Sequence, residues 1–61
     1  MFKFKVGDRV EWFDTRLTRG FCGIIVQRHF SMGDILYNIR KEDDINLAII
    51  DERLLRLRKK R

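Results

Sequence analysis

Proline is absent from the chain, and cysteine, histidine and serine each occur once. With no proline, no Ser/Gly-rich stretch and no internal repeat, nothing in the sequence marks a boundary between domains, and 61 residues suffice for one domain only. A chain this short buries about 60% of the surface its unfolded form exposes, so its core has to be compact. The lone Cys22 rules out an intrachain disulfide, which is expected of a cytoplasmic protein rather than a secreted one. One cysteine and one histidine cannot build a structural zinc site, so no metal and no cofactor is expected. Long apolar runs are also lacking. The longest, Phe21 to Val26 counting glycine, covers six residues, against the roughly 20 of a membrane span. Met1-Phe2-Lys3-Phe4-Lys5 alternates apolar and cationic residues and has no apolar signal core, so no membrane association is expected.

Charge is plentiful but unevenly placed. The formal net charge is +5, yet residues 1–57 carry ten Lys/Arg against nine Asp/Glu. The remaining four charges are Arg58, Lys59, Lys60 and Arg61, a basic tail on a nearly neutral domain of residues 1–57.

The apolar residues are mostly Ile, Leu, Val and Phe, too many and too β-branched for a disordered chain. Val10 and Trp12 alternate with Arg9 and Glu11, which predicts a first strand. Phe13 to Gly20 has no clean period and is expected to be a long loop. Phe21 to Phe30 reads as a second strand with Gly23 at a bend or bulge, followed by a turn over Ser31-Met32-Gly33-Asp34 carried by Gly-Asp. Ile35 to Arg40 is a third strand with Tyr37 and Ile39 on one face. Lys41-Glu42-Asp43-Asp44 is a charged turn, and Ile45 to Ile50 a fourth strand. Asp51 is placed to cap a single helical turn over 51–53, before a last strand from Leu54 to Leu57. A competing reading makes 45–60 one helix, with Glu52 and Arg56 at i, i+4 and a stripe of Leu47, Ile50, Leu54 and Leu57. The β-branched Ile45, Ile49 and Ile50 and the turn-forming Asp43-Asp44 favour strand–turn–strand.

The predicted fold class is therefore all-β. Five short strands, the Val6-Gly7-Asp8 entry, the paired Gly20 and Gly23 and the ending Asp51-Glu52-Arg53-Leu54-Leu55-Arg56-Leu57 resemble a five-stranded SH3-like barrel of the Tudor, KOW and chromo-barrel group. The resemblance spans Val6 to Leu57. It implies that Val10, Ile25, Tyr37, Ile39, Leu55 and Leu57 fill the barrel, with the phase of Ile24-Ile25-Val26 left open. It also implies a ligand rim where the first loop meets the turn between strands two and three, contacted by Phe13, Arg16, Arg19 and Phe30. The barrel hosts many activities, so function has to come from the site. Plasmid-type dihydrofolate reductases are a more distant resemblance. Where their Val-Gln-Ile-Tyr strand would fall, Leu47-Ala48-Ile49-Ile50 lacks the Gln and Tyr that contact folate and nicotinamide.

Catalytic groupings are thin. His29 and Ser31 share a strand face without an orienting group, and Cys22 between Phe21 and Gly23 reads as a small core residue. Glu42-Asp43-Asp44 lacks calcium-site spacing. A cage for a methylated cation would need Trp12, Phe13, Phe30 and Tyr37 to converge beside Asp14, which a core this small can hardly spare. Nucleic-acid binding asks for cations aimed at phosphates and aromatics for stacking. Candidates are Arg16, Arg19, Arg28, the Arg40-Lys41 pair and the tail Arg58, Lys59, Lys60 and Arg61 as phosphate contacts, with Phe13 or Phe30 stacking. The tail reads equally as an arm for nucleic acid or an inert solubilising end. Apolar neighbours at Ile24-Ile25-Val26, Ile35-Leu36, Ile49-Ile50 and Leu54-Leu55 exceed strict alternation. They suggest an exposed patch, hence a homodimer or a protein partner. The expected function is a non-catalytic binding module for DNA or RNA, the alternative a protein-interaction module.

Overall fold

The computed structural model describes residues 2–42 and 45–58. It contains five strands: β1 (Arg9–Asp14), β2 (Arg19–Ser31), β3 (Asp34–Lys41), β4 (Leu47–Asp51) and β5 (Arg56–Leu57). A single 3₁₀ turn, Glu52–Leu54, precedes β5. The strands form one antiparallel sheet in the order β4-β3-β2-β1-β5, the arrangement of a small barrel-like fold. The chain is all-β as expected. The single helix over 45–60 is overturned across the described residues: β4 pairs with β3 along its length, and Asp51 Oδ1 accepts the Arg53 amide at 2.9 Å to cap one short turn.

Each turn is set by local chemistry. The expected long first loop shrinks to Thr15–Thr18, because β1 runs on to Asp14 and pairs it with Arg19. The Asp14 carboxylate accepts the backbone N–H of Arg16 at 2.9 Å and of Leu17 at 3.2 Å, and Thr18 takes a left-handed φ of 54° to reverse the chain. The expected turn over Ser31 to Asp34 joins β2 and β3, with Met32 and Gly33 as its central residues. Both have positive φ, 54° and 84°, between the closing pair Ser31 and Asp34, as a tight type I′ hairpin requires.

The bulge in β2 falls between Ile25 and Gln27, not at Gly23. Ile25 is buried and Val26 exposed, which settles the phase that alternation left open, and the bulge shifts the alternation by one residue from there on. Gly23 serves a different need. A Cβ there would lie against the Arg40 carbonyl and 2.7 Å from Ile39 Cγ2, so only glycine lets β2 and β3 approach.

Phe4, Val10, Trp12, Ile25, Tyr37, Ile39 and Leu55 form the buried core. Five of the six expected barrel positions are among them. Leu57 is not: it remains 55% exposed, because β5 is a two-residue edge strand at the margin of the sheet. Phe4 enters from a segment that was not predicted to pack. Its entry is fixed by the turn Lys5–Asp8, in which Gly7 takes φ 97° and Asp8 Oδ2 accepts the Lys5 amide at 2.9 Å. Gly7 and Asp8 then pair with Ile25, Gly7 N–H donating to the Ile25 carbonyl at 2.8 Å and Ile25 N–H to that of Asp8 at 3.0 Å.

Tyr37, in the middle of β3, is completely buried, so its hydroxyl needs partners inside the protein. It accepts the Phe4 amide at 3.1 Å and donates to Glu52 Oε2 at 2.6 Å. The same Glu52 oxygen accepts the Lys3 amide at 2.8 Å. Burial, then the bond to Glu52, raises the Tyr37 pKa above its ordinary 10.0. The Tyr37 hydroxyl, then the Lys3 amide, holds Glu52 below its ordinary 4.5.

Two outcomes follow for stability. Met32 is 95% exposed, so Met32→Asn relieves a left-handed Met without losing packing and is expected to raise stability by about 0.5–1 kcal/mol in thermal unfolding. Tyr37→Phe leaves the Phe4 amide and Glu52 short of a partner and is expected to cost about 1–3 kcal/mol at neutral pH in urea titration. A depressed carboxylate stabilises the fold above its unfolded pKa and stops doing so as pH falls through its folded pKa. Wild type should therefore lose stability below pH 4.5, and the variant, lacking the largest cause of the Glu52 shift, should lose less over that range. Above pH 10.0 the raised Tyr37 pKa makes wild type lose stability as the phenol ionises, a loss the variant cannot show.

Candidate nucleic-acid interface at the β1–β2 end

The short β1–β2 hairpin brings a cation–aromatic cluster to one end of the sheet. Register places Trp12 opposite Phe21, and on the same face Asp14 opposite Arg19 and Lys41 opposite Gly23. The Trp12 and Phe21 rings stack, with centroids 5.8 Å apart and planes 22° from parallel. Trp12 is buried and anchors the pair, while Phe21 is half-buried at its rim. Two cations lie over the Phe21 ring: the Arg19 guanidinium carbon at 4.5 Å from its centroid and the Lys41 ammonium at 5.2 Å. Each such contact is worth about 0.5–1 kcal/mol at an accessible site, enough to bias the position of a long side chain. The arrangement offers an aromatic edge flanked by positive charge, the chemistry that suits a base beside its phosphates.

The predicted residues divide between places. Phe13, Arg16 and Arg19 sit together at this end: Phe13 exposed on the opposite face of β1, Arg16 in the loop, Arg19 at the start of β2. Phe30 is exposed but stands near the far end of β2, beside the β2–β3 turn. A 13-residue strand separates the two turns, so the single rim implied by the resemblance does not form. Arg28 lies on the Phe30 side of the bulge and supports the N-terminal segment. Its guanidinium covers the Phe2 ring at 4.7 Å and donates to the Phe4 carbonyl at 3.2 Å. Arg58 Nη1 donates to Cys22 Sγ at 2.8 Å and to Glu42 Oε2 at 3.2 Å, so this first tail residue is held against the sheet. Lys59, Lys60 and Arg61, and likewise Asp43 and Asp44, lie outside the described residues.

Other sequence candidates dissolve. Trp12 and Tyr37 are buried, and Tyr37 meets Phe2 and Phe4 edge-on at 6.2 and 5.5 Å, so no aromatic cage converges beside Asp14. His29 Nε2 bonds Asn38 Oδ1 at 3.1 Å, and the Asn38 amide donates to Gln27 at 3.1 Å, a polar ladder across the sheet. Cys22 is half-buried beside Arg58 and takes no place in the core. Among the described residues no group of three or more His, Cys, Asp or Glu could hold a metal ion, and no helix is long and apolar enough to cross a membrane.

One feature went unread in the sequence. A groove of about 490 Å³ runs between β1 and the 3₁₀ turn, lined by Trp12, Phe13, Leu54 and Leu55 together with Arg53 and Arg56. It arises because β5 pairs β1 only at Val10 and Glu11, leaving Trp12 to Asp14 without a neighbour on that side. Its cations are already engaged: Arg56 with Glu11 at 2.7 Å, Arg53 with Asp51 at 2.9 Å. The signal in the sequence is the Leu54-Leu55 pair, which departs from alternation where the expected helical turn meets the last strand.

Compared with protein-family models, curated proteins and solved structures, the chain finds no match.

Because the Asp14 carboxylate builds the loop that carries Arg16 and leads to Arg19, Asp14→Ala is expected to cost about 1 kcal/mol in thermal unfolding. Asp14→Asn, which keeps an acceptor oxygen for the Arg16 and Leu17 amides, should recover most of that loss.

Proposed function

We propose that this chain is a small SH3-like binding module that associates with single-stranded nucleic acid through the Trp12–Phe21 stack, with Arg16, Arg19 and Lys41 contacting phosphates. The observation that carries the reading is the pair of cations flanking the half-buried Phe21 ring, next to a loop bearing a further arginine. The sheet order with β5 on β1, and the 3₁₀ turn just before β5, support the SH3-like assignment. Lys59, Lys60 and Arg61 add affinity without reading bases, since phosphate contacts position a nucleic acid but do not specify its sequence. Arg28 is left out of the contact set, because it already braces Phe2 and Phe4. A second reading, docking of a protein partner, rests on the groove beside Phe13 and Leu54.

Fluorescence anisotropy with a labelled single-stranded oligonucleotide, at two salt concentrations, tests this on the full chain and on a chain ending at Arg58. Three phosphate contacts predict a slope of log K against log salt of about −2, since each contributes about −0.7 on single strands. The truncated chain should keep this slope, and the full chain should show a steeper one. Phe21→Leu, which keeps an apolar side chain against Trp12, should weaken binding by roughly 5- to 150-fold through lost stacking. Absence of binding by the truncated chain at low salt would overturn the reading. Salt-insensitive binding would also overturn it, because phosphate contacts weaken as salt rises.

A further inference from the structure

β4 is one margin of the sheet, and among the described residues only one side of its backbone is paired. Ile25 N–H and C=O bond to the β1 side, to Asp8 and Gly7, while the Cys22 carbonyl accepts from Glu42, the residue after β3. Alternation along antiparallel ladders then turns Arg40 and Asn38 toward β2, and Ile39 and Tyr37 toward β4. Ala48 and Ile50 are opposite Ile39 and Tyr37 and bond to them, so Leu47, Ile49 and Asp51 direct their N–H and C=O groups to the open side.

Exposed edges in natural sheets are blunted by charge, proline, bulges or brevity. β4 has five residues, no proline and no register shift, and its only charged residue is the terminal Asp51, whose carboxylate is held by Arg53. Its outward side chains are Leu47 and Ile49, 53% and 63% exposed. The other margin is different. β5 has two residues, and Arg56 and Arg58 both lean from it onto acidic partners on the sheet.

We propose that two copies of this chain pair through β4, antiparallel about a two-fold axis at Ala48. That axis sets Leu47 of each copy opposite Ile49 of the other, in hydrogen-bonded pairs. Four backbone groups on each edge are satisfied, and four aliphatic side chains form one row across the seam. At the axis itself the two Ala48 residues form a non-hydrogen-bonded pair, where Cα atoms approach to about 4.5 Å and a small side chain fits. The charge pattern suits a second copy rather than a charged partner, because the uncharged residues 47–50 meet residues 46–49 of the other copy and Asp51 lies opposite Ile45, so no like charges are opposed along the strand. A shared seam of about five residues a side is well short of the roughly 20–30 of a standard interface, so the dimer is weak and depends on concentration. It uses none of the residues of the Phe21 cluster and stands or falls separately from the nucleic-acid reading.

Sedimentation velocity of the full chain over a dilution series from roughly 1 mM downward tests the proposal, with circular dichroism to verify folding of each variant. Wild type is expected to show a monomer–dimer equilibrium with Kd of roughly 10 µM to 1 mM, a range that corresponds to a small interface. Ile49→Lys should weaken dimerisation at least tenfold, while Leu57→Lys on the other margin should leave it intact. If Ile49→Lys does not fold, Ile49→Thr keeps strand propensity and should still weaken the dimer several-fold. A chain that is monomeric at every concentration overturns the proposal. So does a dimer that Ile49→Lys leaves unchanged, or one that Leu57→Lys abolishes equally.

Discussion

The Tyr37 hydroxyl is sealed from solvent at the centre of β3, and satisfying it dictates where two other parts of the chain must go. The Phe4 amide approaches from the N-terminal side and the Glu52 carboxylate from the 3₁₀ turn, and Glu52 also takes the Lys3 amide. One buried oxygen thus connects the N-terminal segment, the middle strand and the turn that leads to β5. In a chain of 61 residues, whose whole stability is of the order of 5–15 kcal/mol, an unsatisfied group of this kind would matter. The knot also explains why Phe4 is buried and why Arg28 is occupied, since Arg28 donates to the carbonyl of the residue whose amide Tyr37 accepts.

That constraint gives the two ends of the sheet different surroundings. At the Tyr37–Glu52 end, Phe2, Lys3 and Arg28 are consumed in holding the core closed. At the β1–β2 end the polar groups build a short loop instead, and the half-buried Phe21, stacked on the buried Trp12, comes to the surface with cations around it. The proposed ligand is therefore placed at the hairpin end, by the Phe21 ring and its cations, and not at Arg28, which is engaged with Phe2 and Phe4.

Much of the fold was legible in the residues, for identifiable reasons. Alternation around Val10, Trp12, Tyr37 and Ile39 is strict, and burial follows it without exception. Asp51 capping a single turn was readable from local chemistry alone. Other features depended on information that neighbouring residues do not carry. The bulge after Ile25 inverts the phase of the remainder of β2, so whether Ile25 or its neighbours Ile24 and Val26 faced inward was undecidable from alternation. Gly23 looked like a bend because what excludes a Cβ is a strand 16 residues away. Leu57 continued an apolar pattern that the margin of the sheet does not bury. For the candidate site, Phe13, Arg16 and Arg19 were adjacent in sequence and remain so in space. Phe30 and Arg28 were separated from them by the length of β2, and the groove beside Arg53 to Arg56 exists only because β5 stops short along β1.

The division between a structural end and a binding end is most directly tested by amide and indole NMR shifts during titration with a single-stranded oligonucleotide at low salt. The account predicts changes concentrated at the Trp12 indole N–H, at Arg16 to Cys22 and at Lys41, with Lys3, Phe4 and Arg28 unmoved. Shifts centred on Arg28 and Phe30, or none anywhere on the sheet, would contradict it.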